Sequence, residues 1–146
     1  MPRFFTVQQA EEILPAVEAA IREAISAKIE SERLDAEWQA VPQRVAILGG
    51  VQVDRTRASE LKNRREAAAQ ALQQAVENVH RFGCLVKDLD IGLIDFPTLL
   101  KGEKVYLCWK MGEKRIRFWH GVTEGFRGRK PIDAGFLEHH RGDLPN

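Results

Sequence analysis

The sequence predicts an α+β fold: a long antiparallel helical hairpin packed against a three-stranded antiparallel β-meander. Three observations carry that prediction. Apolar residues recur at steps of three and four from Ile13 to Trp38, and again from Leu61 to Val79, which is the spacing of one helix face. After Gly83 the period changes to alternation. Two glycine turns, Lys101-Gly102 and Gly112-Glu113, then divide the alternating stretch into hairpins.

At 146 residues and 44% apolar content the chain suits one domain with a core of its own. That domain, 1–146, divides into the hairpin over 6–81, the meander and its adjoining loop over 84–132, and a polar tail over 133–146. No apolar run approaches the roughly 18 residues of a membrane span. The opening Met1-Pro2-Arg3-Phe4-Phe5-Thr6 leads directly into a polar helical pattern, unlike a signal peptide, so the expectation is a cytoplasmic protein. Cys84 and Cys108, with no CxxC, read as reduced thiols. The net charge of +1 points to no partner, but the charge is patterned. Residues 6–40 hold three basic and eight acidic side chains, residues 55–81 six and three, and residues 110–130 seven and two.

Thr6 and Gln9 form a capping box, and Phe5 is placed to staple the first turn. Ile13, Leu14, Val17, Ile21, Ile25, Ile29 and Trp38 then mark the apolar stripe. Pro15 is expected to kink this helix or end a short first piece. Val41–Asp54, with Pro42 and Gly49-Gly50, reads as a connector. The second helix, 55–81, carries Leu61, Ala68, Leu72, Val76 and Val79, and Gly83 lies just past its end. The acidic first helix should lie against the basic second. A helix of 35 residues spans about 52 Å, long for so small a domain, so a homodimer sharing the hairpin's stripe as a coiled coil is expected.

Closing the Lys101-Gly102 turn pairs Leu99 with Lys104, Thr98 with Val105, Pro97 with Tyr106, Phe96 with Leu107, Asp95 with Cys108 and Ile94 with Trp109. Closing the Gly112-Glu113 turn pairs Trp109 with Ile116, Cys108 with Arg117, Leu107 with Phe118, Tyr106 with Trp119 and Val105 with His120. This register makes one face almost wholly apolar, from Ile94 to Phe118 with His120 at its edge. It also leaves Pro97 at a position without a ladder hydrogen bond.

The opposite face carries the candidate site: Asp95, Cys108 and Arg117 in one row, with Trp119 beside Tyr106 in the next. Asp88 and Asp90 fall on one side of the preceding segment if it is extended, and Arg127 and Arg129 come later in a glycine-punctuated loop. Such a set suits a ligand-binding floor, and equally a ladder of solvated ion pairs led by Asp95–Arg117. The three aspartates lack calcium-loop spacing and no phosphate loop accompanies them, so no metal and no cofactor is expected. In this register Cys108 and His120 point to opposite faces, which argues against a nucleophile–base pair and leaves catalytic residues unknown. The basic segment 110–130 with its aromatics suggests single-stranded nucleic acid, but alternation turns Trp109 and Phe118 away from that surface.

Lys87-Asp88-Leu89-Asp90-Ile91-Gly92-Leu93-Ile94-Asp95-Phe96-Pro97 resembles the central motif of the bacterial Domain of Unknown Function 2203 family. Val105 to Lys110, Gly112-Glu113, Trp119-His120, Gly125-Phe126, Gly128-Arg129 and Pro131 fit the rest of its signature, and Phe5-Thr6 with Ala10 and Leu14-Pro15 is similar to its start. Lys130 stands where glutamine is expected. The resemblance runs from Phe5 to Ile132 and implies no activity. The expected function is a bacterial interaction module that dimerises and presents a polar site to a protein or a small anionic ligand. A small-anion binder or enzyme using the Asp/His/Arg cluster of residues 88–129 (Asp88, Asp90, Asp95, His120, Arg127 and Arg129), and a nucleic-acid binder using 110–130, are the alternatives.

Overall fold

The computed structural model of the chain describes residues 3–47 and 55–143, with side chains described for 3–41 and 56–143. Two long helices, α1 (Val7–Ile47) and α2 (Arg55–His80), pack on each other as a hairpin. Six strands come after them: β1 (Leu85–Asp88), β2 (Leu93–Leu100), β3 (Glu103–Lys110), β4 (Phe118–Gly121), β5 (Lys130–Pro131) and, after the short helix α3 (Ala134–His139), β6 (His140–Arg141). The sheet order is β1-β2-β3-β4-β5, with β6 on the far end of β2, and the pairings are antiparallel.

The start of α1 is set by its capping box. The Thr6 N–H donates to Gln9 Oε1 at 3.0 Å and the Gln9 N–H to Thr6 Oγ1 at 3.1 Å, so two N–H groups without helical partners are satisfied reciprocally. Phe5 is buried, edge-on to Phe96 at 5.4 Å, and staples the helix to the sheet. The helix differs from expectation in three ways. It continues through Pro15, which is exposed on the solvent side, where the Glu11 carbonyl it frees can turn to water. It also continues past Pro42 to Ile47, so the connector is shorter than Val41–Asp54; Gly49-Gly50 lies outside the described residues. Finally, the buried stripe runs Ala10, Leu14, Val17, Ile21, Ala24 and Leu34, leaving Ile29 63% exposed. A period of 3.6 residues carries the stripe away from Ile29 within two turns of Ile21.

The sheet covers only part of the hairpin. Core side chains of the sheet meet α1 no further along than Ile25, and Lys28 pairs with Asp90 in the β1–β2 turn. Beyond that, α1 leans on α2: Leu34 is 2% exposed, Asp35 accepts from Arg65 Nε at 3.0 Å, and the Arg65 guanidinium lies over Trp38.

The β2–β3 register is the expected one at all six positions. Lys101 and Gly102 both take positive φ, 51° and 82°, as a two-residue hairpin turn requires. Pro97 sits in the gap between β1 and β6, where its carbonyl accepts from the Phe5 N–H at 2.7 Å and no strand asks for its missing N–H.

The β3–β4 register is one residue off the expected one. Cys108 pairs with Phe118, Leu107 with Trp119, Tyr106 with His120 and Val105 with Gly121. Met111 and Gly112, not Gly112 and Glu113, are the central turn residues: the Glu113 N–H returns to the Lys110 carbonyl at 3.0 Å and Gly112 has φ 101°. Residues 114–117 do not pair with β3. Ile116 is buried as an anchor for this loop, and its N–H donates to Glu11 Oε1 at 3.3 Å. One residue of slip exchanges the faces of β4, sending Trp119 to the core and bringing His120 and Phe118 to the other side.

Two further corrections concern the ends of the sheet region. The meander has three extra strands, β1, β5 and β6. The segment after Ile132 is not a free polar tail: Phe136 joins the core, the Asp133 side chain caps α3, and the Asp143 N–H donates to the Phe4 carbonyl at 3.0 Å.

Candidate functional site

The register of β4 assembles a cluster that no local spacing announces. Asp95 on β2, Cys108 on β3 and His120 on β4 meet on the face away from the helices, with ligand-type atoms all within 4.8 Å of one another. Asp95 and Cys108 are fully buried and His120 is 4% exposed. His120 Nε2 lies 3.0 Å from each Asp95 oxygen, and Nδ1 lies 2.8 Å from the Gly121 carbonyl. A carbonyl only accepts, so Nδ1 carries a proton. One more proton then sits between Nε2 and the carboxylate, as an imidazolium–carboxylate or an imidazole–carboxylic acid pair.

The loop after β4 closes over this face. Arg129 donates to both Glu113 carboxylate oxygens, at 2.9 and 3.0 Å, and its guanidinium is stacked between Phe118 at 4.0 Å and Phe126 at 4.4 Å. Its positive charge also lies close enough to Cys108 to favour the thiolate, against the larger effect of burial. Glu124 fixes the loop by accepting from the Gly121 N–H and from Lys130 Nζ; the Lys130 bond, first, and then the Gly121 N–H hold its carboxyl below the usual range. Tyr106 covers His120, their rings 5.5 Å apart, with Lys87 and Lys104 over the outer surface of the phenol. Among the described residues no buried side-chain polar atom lacks a partner.

The nine candidate residues therefore separate. Asp95, Cys108 and His120 come together, with Arg129 behind the thiol. Arg117 does not reach Asp95; it is exposed in the loop before β4. Trp119 lies on the core face, 5.2 Å from Phe136. Asp88 and Asp90 are exposed at a turn where the Asp90 N–H donates to Asp88 Oδ1 at 3.0 Å, and do not share a strand face. Arg127 is exposed in the loop. No sequence signal marks Glu113 or Arg115 as functional. Glu113 is legible only as a turn residue, and its partner Arg129 is sixteen positions away.

Burial pushes both thiols up from 9.0 to about 12. Cys108 is therefore a thiol and not a ready nucleophile, even with His120 beside it. The same shift sets a pH dependence for Cys84, whose Sγ donates to the Val79 carbonyl. Unfolded Cys84 ionises near 9 and folded Cys84 near 12, so its contribution is complete below pH 9 and is lost as the pH rises to 12. Cys84→Ser, whose hydroxyl does not titrate there, should flatten the fall in urea-unfolding free energy over that window. An unchanged slope would contradict this assignment.

A second feature lies where the start of α1, the 114–117 loop, β5 and α3 converge. A groove of about 450 Å³ is lined by Val7, Ile116, Ile132 and Leu137, by Arg115 and Arg117, and by Glu11, whose carboxylate accepts the Ile116 N–H. Leu137 is 50% exposed there. Neither arginine pairs with a carboxylate among the described residues, whereas Arg65 and Arg129 both do.

A helical hairpin carrying an antiparallel sheet, with a buried Asp–His–Cys cluster on the sheet's outer face, defines the class by architecture and not by chemistry. The chain belongs to the DUF2203 family, described as an uncharacterized conserved protein, whose model matches residues 3–132. No curated protein and no solved structure matches it. No described helix is long and apolar enough to cross a membrane.

Proposed function

We propose that this protein is an interaction module that binds an acidic, partly apolar segment of a partner protein in the groove beside Arg115 and Arg117. The observation that carries the reading is the pairing of an open apolar trough, with half-exposed Leu137 in its wall, and two guanidinium groups without acidic partners among the described residues. Guanidinium forks recognise carboxylates bidentately, and the trough gives the intervening apolar side chains a place to lie. The surrounding segment 110–130, with seven basic and two acidic side chains, favours approach of an acidic partner.

Self-association through the hairpin is a separate proposal. The distal stripe is already covered by α2, with Ile29 left as its one large exposed apolar side chain among the described residues. The groove therefore has the stronger claim as the working surface.

Fluorescence anisotropy with labelled peptides that alternate glutamate and leucine tests the reading. Binding should weaken at least about tenfold in Arg115→Glu/Arg117→Glu and decline with salt. Binding that ignores the double reversal, or a preference for a single-stranded oligonucleotide over every peptide, would overturn it.

A further inference from the structure

We propose that Asp95, Cys108 and His120 form a binding site for a divalent cation of the zinc type. The inference is independent of the groove. The sequence alone points to no metal, because the three residues sit on three successive strands and share no ligand spacing. Strand pairing, and the one-residue shift of β4 in particular, is what brings them together.

The donor set matches the ion. A thiolate, an imidazole nitrogen and a carboxylate oxygen are the three ligand types that zinc accepts, at about 2.0–2.3 Å. Tetrahedral bonds of that length put ligand atoms on the order of 3–4 Å apart. The cluster has His120 Nε2 at 3.0 Å from Asp95 and all three ligand atoms within 4.8 Å. Side-chain rotations that draw in the widest of these separations by up to about 1 Å close the set on an ion. Soft and borderline ligands together select zinc, cobalt or iron over magnesium and calcium, which take oxygen.

The outer contacts are those of a ligand set held ready. The Nδ1–H of His120 donates to the Gly121 carbonyl at 2.8 Å, which fixes the tautomer and turns Nε2 toward Asp95 and Cys108. The Arg129 guanidinium lies near Cys108, and its charge is balanced by the Glu113 carboxylate at 2.9 and 3.0 Å. A thiolate gains from a nearby guanidinium, and the ion-paired arginine adds little net charge to oppose the cation. On binding, the ion replaces the proton shared by Nε2 and the carboxylate and the proton of the thiol, both of which leave to solvent.

The cation then adds a further link among β2, β3 and β4, beside their backbone pairing and the packing of Trp119 on Phe136. Three protein ligands leave a fourth position for water or a further ligand.

Cobalt(II) titration of the full chain, stripped with chelator, is the direct test. Wild type should develop thiolate-to-cobalt charge-transfer absorption and tetrahedral d–d bands at one equivalent, reversed by zinc, and zinc should raise its melting temperature. Cys108→Ser, close to isosteric, should lose the charge-transfer band and weaken cobalt binding at least about a hundredfold while keeping a native circular dichroism spectrum. Cys84→Ser, altering the thiol on the core side, should keep the band. His120→Gln provides a second ligand loss. Absence of the band in wild type, its persistence in Cys108→Ser, or its equal loss in Cys84→Ser would each overturn the proposal.

Discussion

His120→Ala, measured by urea unfolding of chelator-treated protein, should lower the stability of this fold by about 3–5 kcal/mol. The substitution removes the one partner that reaches both oxygens of a carboxylate with no solvent exposure. It also leaves the Gly121 carbonyl without its 2.8 Å donor. A buried group stripped of its partner carries the full desolvation penalty, which exceeds what the intact pair contributes net. Replacing both partners by apolar residues, Asp95→Val/His120→Leu, should therefore recover much of the loss. A double-mutant cycle reads the difference as a coupling energy, expected on the order of 2–3 kcal/mol. A His120→Ala cost below about 1 kcal/mol would mean that water reaches Asp95 and that the cluster is not sealed.

The same residue shows where sequence reasoning succeeds and where it stops. The β2–β3 hairpin is readable because its turn has a single solution: Gly102 supplies a positive φ, and any slip would bury Lys104 or expose Phe96. The next hairpin offers two near-equal solutions. Ile116 and Phe118 alternate with arginines, so a strand starting at Arg115 looks well patterned. In the fold, Ile116 is instead a loop anchor, and β4 begins at Phe118. A pair of long-range contacts, Asp95 with His120 and Trp119 with Phe136, decides between the registers. Neither is visible in local alternation. The shift moves His120 onto the face of Cys108, so the cluster is not legible as a cluster although each of its three residues is a candidate on its own.

The helices are legible for the opposite reason. Their signals, the Thr6/Gln9 box and the three-and-four stripe, are local and reinforce one another. The stripe fails at Ile29, where phase drift acts, and the expected break at Pro15 fails because the proline lies on the solvent side, where its missing hydrogen bond is tolerated. Residues 133–143 read as a tail because a single apolar anchor, Phe136, in a charged stretch gives no periodicity to detect.

That anchor has a large expected effect of its own. Phe136→Ala should cost about 3–5 kcal/mol, in the range of buried aromatic truncations. The ring is 4% exposed and lies between Trp119 at 5.2 Å and His140 at 5.1 Å. Its loss also loosens the chain from His140 onward. His140 Nε2 accepts the Val7 N–H at 3.0 Å, so it caps the first turn of α1, and β6 closes the end of β2 beside Thr98, whose hydroxyl donates to the Arg141 carbonyl at 3.2 Å. The segment thus ties the N-terminus of the hairpin to the sheet, and its undocking should expose amides of β2 near Leu99 and of α1 near Val7 to hydrogen exchange. Leu137→Ala, one residue on and half exposed, should cost less than about 1 kcal/mol and leave that exchange unchanged. If the two substitutions cost the same, α3 is held by its cap at Asp133 and not by the packing of Phe136 against Trp119.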